Sequence, residues 1–324
     1  MKISTNKKLI LTKTYGQYSN KLIQNLNFEA FCMEHNIEYS NPTFPISEYY
    51  MSPCSTKTSF FIDFLRIKFL GLIFRNSRSD IVRKYFTVAW IFSLTGFVNL
   101  VFFNKKKTWK NRDVEKDLLK AFEKSVIIFT AGWHFRVPEL LEKHRDELIR
   151  KYSLKPIYYE NNDFYKKVIA LKTEENVLIG VHIRRGDYKK WKNGQYYFED
   201  DVYQKYMSDF SQKLFEKTQK NQIFIIFSND LVSFVENEKL LISKEIWYID
   251  HFIMSLCDYL IGTHSTFSLW ANFMGKNTFF CIQDNSGNID NTITDFREND
   301  FAHAFSEAEA KEMCEAQGRV SNSW

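Results

Sequence analysis

An α/β fold built from two doubly wound parallel-sheet halves is what this sequence predicts, and three observations predict it. Apolar runs and amphipathic stretches alternate along most of the 324 residues, as strands and helices alternate around a parallel sheet. That length favours two domains over one. Several apolar runs also end in clustered polar residues, the pattern expected where the carboxyl edge of a sheet meets a ligand. The clearest case is "NVLIGVHIRRGDYKKW", residues 176–191, where a mostly apolar run closes on His182, Arg184, Arg185 and Asp187. Such a run suits a strand buried on both faces.

The elements follow in order. "KLILTK" (8–13) reads as a first strand. In "TYGQYSNKLIQ", Gly16 permits a tight turn and the apolar spacing from Leu22 opens a helix, with Asn20 at the join. Residues 57–110 form an apolar and basic segment. Within it, "SFFIDFLRIKFLGLIFR" intersperses Arg66, Lys68 and Arg75 among aromatic and aliphatic residues, a composition fit for core packing or for an anionic membrane surface. Phe86 to Phe103 carries no charge over 18 residues, just long enough for a membrane span. Ser93, Thr95, Gly96 and Asn99 interrupt it, so a helix near 80–94 and a buried strand "GFVNLVFF" are preferred.

Residues 114–122 read as a helix, "SVIIFTAGW" contains a strand, and "PELLEKHRDELIRKY" reads as one periodic helix with Pro138 in its first turn. Polar residues then accumulate, and the boundary is placed so that the halves are 1–158 and 159–324. In the second half, strand 177–183 precedes a helix near 200–217 with Tyr203, Tyr206, Met207, Phe210 and Leu214 on one face. "QIFIIF" ends in Ser228, Asn229 and Asp230; "EIWYI" reads as a strand ending at Asp250, which would cap "HFIMSLCD". "YLIG" runs into Ser265, Thr266 and Phe267 at the head of "FSLWANFMG". "NTFFCI" is the last strand, and "SEAEAKEMCEAQG" a terminal helix from Ser306 to Gly318.

Bulk composition narrows the function classes. A net charge of +5, scattered rather than striped, argues against a nucleic-acid partner. Five cysteines (Cys32, Cys54, Cys257, Cys281, Cys314) with no CxxC pair suit reduced thiols in the cytoplasm. The start, "MKISTNKKLILTKTYG", has no long apolar core and no small-residue cleavage site, so no signal peptide is expected. The expected location is cytoplasmic, with 57–110 available for peripheral contact at the inner face of a membrane.

Two arginines at a strand end point to an anionic ligand, because the guanidinium fork matches phosphate oxygens. Ser265 and Thr266 stand where a helix begins, so hydroxyls and backbone N–H groups meet a further phosphate oxygen there. Asp250 or Asp230 would accept from the N–H groups of a base. Together they describe a nucleotide-diphosphate site without GxxxxGK[ST] or GxGxxG. Each has a blander counterpart: Arg185 and Asp187 as a salt bridge, His182 as a core histidine, 228–230 as a turn, Asp250 as a helix cap. Glu199-Asp200-Asp201 reads as a helix start, where carboxylates suit the dipole, before it reads as a metal site.

These residues resemble a known family. "HIRRGDY" is similar to the HxRRxD signature of fucosyltransferases that use GDP-fucose, particularly the bacterial alpha-1,2-fucosyltransferases of glycosyltransferase family 11. "FSND" resembles their FSDD, "IDHFIMSLCDYLIGTHSTFSLW" their third motif, and "GQYSNKLIQ" their N-terminal glycine-rich loop. The resemblance implies a GT-B architecture, two Rossmann-like halves facing a cleft, with donor in the C-terminal half and acceptor largely against the N-terminal one. It implies that Arg184 and Arg185 hold the pyrophosphate, that His182 and Asp250 lie near the guanine, and that Ser228, Asn229, Asp230, Ser265, Thr266 and Phe267 line the donor. Gly16 and Asn20 match the N-terminal loop, and Asp187 is either a base or an orienter of an arginine. The implied reaction is inverting transfer of fucose to a glycan, with no cofactor and no metal. Gln17, Ser19, Asn229 and Leu269 depart from the family pattern, and 57–110 has no counterpart in it. Two alternatives stand beside this reading: another nucleotide-sugar donor, and a nucleotide-sugar- or carbohydrate-binding protein without turnover.

Overall fold

The computed structural model describes residues 7–14, 16–41, 98–103 and 114–294. The expected terminal helix, Cys54, Cys314 and most of 57–110 lie outside them. The chain divides into two compact units, Met1–Ser153 and Leu154–Trp324; the sequence had placed the boundary at 158.

In the first unit the elements are β1 (Lys8–Lys13), α1 (Tyr18–Glu34), β2 (Glu38–Ser40), β3 (Val98–Phe102), α2 (Val114–Lys124), β4 (Ile127–Ala131), α3 (Pro138–Lys143) and α4 (Arg145–Tyr152). The strands pair in parallel in the order β2-β1-β4-β3. Leu9 and Leu11 of β1 are buried and alternate with half-buried Ile10, the period of a strand. Phe28 of α1 stacks on Phe135 at 4.3 Å, and Phe31 and Phe103 meet the same ring edge-on at 5.7 and 5.0 Å. These rings fill the core beside the sheet.

One expectation is met here and one is corrected. The end of the uncharged 86–103 stretch is β3, paired with β4, so one continuous helix across that stretch is excluded. Among the described residues no helix is long and apolar enough to cross a membrane. The single helix expected over 138–152 is two, because His144 leaves helical geometry (φ −99°, ψ 10°) and turns its ring to Glu34, 2.9 Å away. Apolar spacing carries across that break, so periodicity alone does not reveal it. Pro138 is the first residue of α3, as expected.

The second unit contains α5 (Asp163–Leu171), β5 (Asn176–Ile183), α6 (Asp200–Thr218), β6 (Asn221–Ser228), β7 (Leu240–Ile242), α7 (Trp247–Leu256), β8 (Tyr259–Gly262), α8 (Thr266–Gly275) and β9 (Thr278–Cys281). Its parallel sheet runs β7-β6-β5-β8-β9. Leu178, Ile179, Val181 and Ile183 of the central β5 are fully buried, which is why the run is apolar on both faces. On one side it packs against Tyr203, Tyr206, Met207, Phe210 and Leu214, the α6 face the sequence shows. Each such large side chain contributes about 1.5–3 kcal/mol by burial.

One strand was misplaced. "EIWYI" is the start of α7, not a strand, and the strand that follows β6 is "LLI". A five-residue apolar run fits either period. Ile249 and Ile253, one helical turn apart and both buried, decide for helix. Asp250 therefore lies in the first turn of α7, while Ile246 holds the cap position without a side-chain bond.

Candidate functional site

Chain order reverses between β5 and β8: β6 and β7 lie to one side, β8 and β9 to the other. In a doubly wound sheet this switch point leaves a crevice at the carboxyl ends, where ligands bind. Register brings the polar strand ends together there. Ile183 pairs with Ser228, and His182 pairs with Gly262. Gly262 is required, since a Cβ on it would stand 2.9 Å from the His182 carbonyl oxygen.

Past the end of β5 the chain turns sharply, with Gly186 at φ +67° opening a short 3-10 helix. The two arginines diverge at this turn. Arg184 is half-buried and donates from Nη2 to Asp187 Oδ1 at 2.6 Å, with its guanidinium 5.2 Å from the Tyr188 ring centre. Tyr188 in turn donates to the His264 carbonyl at 2.5 Å. Arg184 is thus held toward the segment that enters α8. Arg185, expected beside it on the same phosphates, is buried. Its guanidinium donates to the Phe198 carbonyl and to Asp200, and lies 5.0 Å from the Tyr197 ring centre. The physical reason is that the strand has ended: extended Arg185 throws its side chain toward α6. The ion pair of the turn is Arg184–Asp187, not Arg185–Asp187.

Helix α8 begins beside this turn. Ser265 is its N-cap, accepting from the Phe267 backbone N–H at 3.2 Å, and Thr266 is its first residue. His182 is buried and shares a hydrogen bond of 2.7 Å with Ser268. Burial, and then the charge of Arg184, push its pKa down to about 3, so it is neutral. Its ring faces Phe267 at 5.2 Å, and His251 of α7 meets Phe267 from another side at 5.0 Å.

The group after β6 serves two purposes. Ser228 accepts from the Asp230 N–H at 3.2 Å and Asp230 from Leu231 at 2.8 Å, which are bonds of a local turn. Asn229 instead reaches across to accept the Arg185 backbone N–H at 2.8 Å. Asp250, one turn into α7, accepts from the Ser243 hydroxyl at 2.5 Å. Burial pushes this carboxyl up to about 7, against the Ser243 bond and with Glu245 adding to the rise.

Gly16 and Asn20 belong to the first unit, at the start of α1. Gly16 has φ +65°, and a Cβ on it would overlap the Asn20 side chain. Among the described residues no three His, Cys, Asp or Glu side chains gather as a metal site. In the acidic triplet, Glu199 precedes α6, Asp200 binds Arg185, and Asp201 pairs with Lys205 at 3.1 Å. Sequence reasoning missed Asp200, Ser243, Ser268 and Tyr188 as members of the network. Ser268 and Tyr188 meet partners 86 and 76 residues away, and even the seven-residue reach from Ser243 to Asp250 leaves no trace in the periodicity.

Residues 166–299 match the family described as Glycosyl transferase family 11. That matched segment contains every site residue of the second unit named above. Over 167 residues the chain is 30% identical to the O-antigen biosynthesis glycosyltransferase WbnK of Escherichia coli, covering 45% of this chain and 50% of that protein. The match thus spans about half the length of that curated relative. The fold is similar to that of Arabidopsis thaliana FUT1, solved as a point mutant in complex with GDP, with TM-score 0.51 and 10% identity. That likeness covers 87% of this chain and 72% of that one. The α/β, GT-B-like fold is therefore shared with a protein of little sequence likeness.

Proposed function

We propose that the protein is a glycosyltransferase that transfers fucose from GDP-fucose to a hydroxyl of a glycan, with inversion and without a metal. The observation that carries this reading is the convergence of the Arg184 fork and the capped start of α8 at one switch point. Both offer N–H donors to the oxygens of a diphosphate. The family 11 match and the GDP that the FUT1 structure holds support the choice of donor. The O-antigen role of WbnK supports an acceptor in a cell-surface polysaccharide precursor. We assign it an alpha-1,2 linkage to a galactoside, made at the cytoplasmic side of a membrane that the apolar and basic segment ahead of β3 contacts.

The chemistry follows from the donor. An acceptor hydroxyl oxygen attacks the anomeric carbon from the face opposite the nucleotide. The C1–O bond breaks, its electron pair leaves on the β-phosphate, and the hydroxyl proton passes to solvent water. Charge grows on the phosphate as the sugar becomes oxocarbenium-like. A guanidinium already in place stabilises that charge more than it stabilises the ground state. Asp187 acts by holding Arg184, since its buried carboxylate already accepts from that guanidinium. Asp250 accepts the N1–H and exocyclic amine of guanine. His182, Phe267, Asn229 and Asp230 complete the donor surface, with Ser265 and Thr266 on a phosphate oxygen.

Thermal shifts with GDP, UDP and ADP, followed by product analysis from GDP-fucose with galactoside acceptors, test the reading. The expected result is a larger shift for GDP and a fucosylated product that forms in EDTA. Equal shifts for the three nucleotides would overturn the donor. Tight GDP binding without transfer or donor hydrolysis would favour a binding protein instead. Activity lost in EDTA and restored by Mn²⁺ would overturn metal independence.

A further inference from the structure

The buried arginine and the loop after β6 share one carboxylate. Asp200, the first residue of α6, presents Oδ1 to the Arg185 guanidinium and Oδ2 to the backbone N–H and hydroxyl of Ser233, at 2.6 and 2.7 Å. On the other side of Arg185, its backbone N–H is taken by Asn229 at 2.8 Å. The bonds close a circuit: Arg185 to Asn229, along the loop to Ser233, to Asp200, and back to Arg185. Val232 and Phe234 pack into the core on either side of Ser233, while Leu231 and Val235 are 92% and 79% exposed. Val232 and Phe234 anchor the loop on the core, and the Asp200 bonds fix the backbone between them. Two carboxylate oxygens, each facing a different segment, suit that task.

We propose that Asp200 is a positioning residue for donor binding: acting through Arg185 and Ser233, it locks the turn that carries Arg184 against the loop that carries Asn229 and Asp230. Arg185 serves this lock and does not touch phosphate. The inference rests on the nucleotide-diphosphate reading above and deepens it. An arginine is needed because its fork reaches the Phe198 carbonyl and Asp200 together, which a lysine ammonium on a flexible stem does not reproduce. The gain for the site is preorganisation, because the donor then finds Arg184 and the 229–230 loop already in register.

A double-mutant cycle on the full chain tests it, with GDP affinity measured calorimetrically below the melting temperature of every variant. Arg185→Met and Asp200→Asn are each expected to weaken GDP binding about tenfold, and the double variant to be no weaker than the worse single. Ser233→Ala is expected to cost less, since the backbone N–H remains. A purely structural role would lower melting temperatures and leave the affinity of folded protein intact, which overturns the proposal. So would a further tenfold or so loss from Arg185→Met in the Asp200→Asn background, the mark of a direct phosphate contact. If Arg185→Met is not recovered folded, the cycle is run with Asp200→Asn and Ser233→Ala, and full additivity there overturns the lock. Wild-type protein that binds no GDP overturns the nucleotide reading and the lock together. GDP binding that Arg184→Ala abolishes and Asp200→Asn leaves untouched overturns the lock alone.

Discussion

The two units each contain a buried charge network, and the difference between them separates scaffold from site. In the first unit Glu29 is buried and accepts from Lys151, from the Tyr152 hydroxyl and, at 3.4 Å, from Asn25. Tyr39 and Asn41 extend the network through Asn25 Oδ1, at 2.8 and 2.7 Å. The network ties α1 to α4 and to the end of β2. In the second unit Arg184 is half-buried at a sheet's carboxyl edge, with a single carboxylate to orient it. Arg185, one residue on, resembles Glu29 more than it resembles Arg184: it is buried and bound on several sides. A buried and saturated charge holds segments together, whereas on the proposed reading the partly exposed Arg184 fork receives the donor.

The largest effect that sharpens this contrast falls on Glu29. Glu29→Ala leaves Lys151 facing a buried site without its partner, and we expect a loss of about 3–5 kcal/mol of stability in denaturant unfolding. GDP affinity of the folded fraction is expected to stay at the wild-type value. A GDP defect in that variant would break the division between scaffold and site.

Next in size is Arg184→Lys. Lysine keeps the charge and loses the fork, so kcat/KM with GDP-fucose is expected to fall roughly a hundred- to thousandfold. The melting temperature should stay close to wild type, because this side chain lies at an edge rather than in the core. A large drop in melting temperature with kcat/KM retained would make Arg184 a structural clamp like Arg185.

How much of this was legible beforehand differs by element. β5, β6 and β8 were readable because buried parallel strands leave unbroken apolar runs, and their polar ends stand out. The face of α6 was readable from Tyr203, Tyr206, Met207, Phe210 and Leu214. The start of α7 was not, because "EIWYI" is too short to choose between periods. The arginine pair and the end of β5 at Ile183 were visible, but the Phe198 carbonyl and Asp200, which take up the Arg185 guanidinium, were not. Asp200 and Ser233 were invisible as partners because they are 33 residues apart.

A smaller effect appears as a pH dependence of opposite slopes. The folded pKa of Asp250 is raised to about 7, above the usual carboxylate range. Its contribution to stability is therefore full below the unfolded pKa and lost as pH rises through about 7. Guanine needs the ionised carboxylate, so GDP affinity should rise over that same window. Melting curves and titrations between pH 5 and 8 check both slopes, and Asp250→Asn should flatten both. Parallel slopes, or slopes that survive in Asp250→Asn, would remove Asp250 from the base site.

The smallest effect is expected at Asp201. It pairs only with exposed Lys205 in the described structure, so Asp201→Ala should leave melting temperature and transfer activity unchanged. A loss of activity rescued by added Mn²⁺ would turn the acidic triplet into a metal site.

The central claim is that Arg184 is the group that holds the donor's phosphates. Calorimetric affinities of GDP and guanosine for wild type and for folded Arg184→Ala test it most directly. Wild type should bind GDP far more tightly than guanosine, and in Arg184→Ala that advantage should nearly vanish while guanosine binding persists. An Arg184→Ala protein that keeps the full preference for GDP over guanosine would contradict the account.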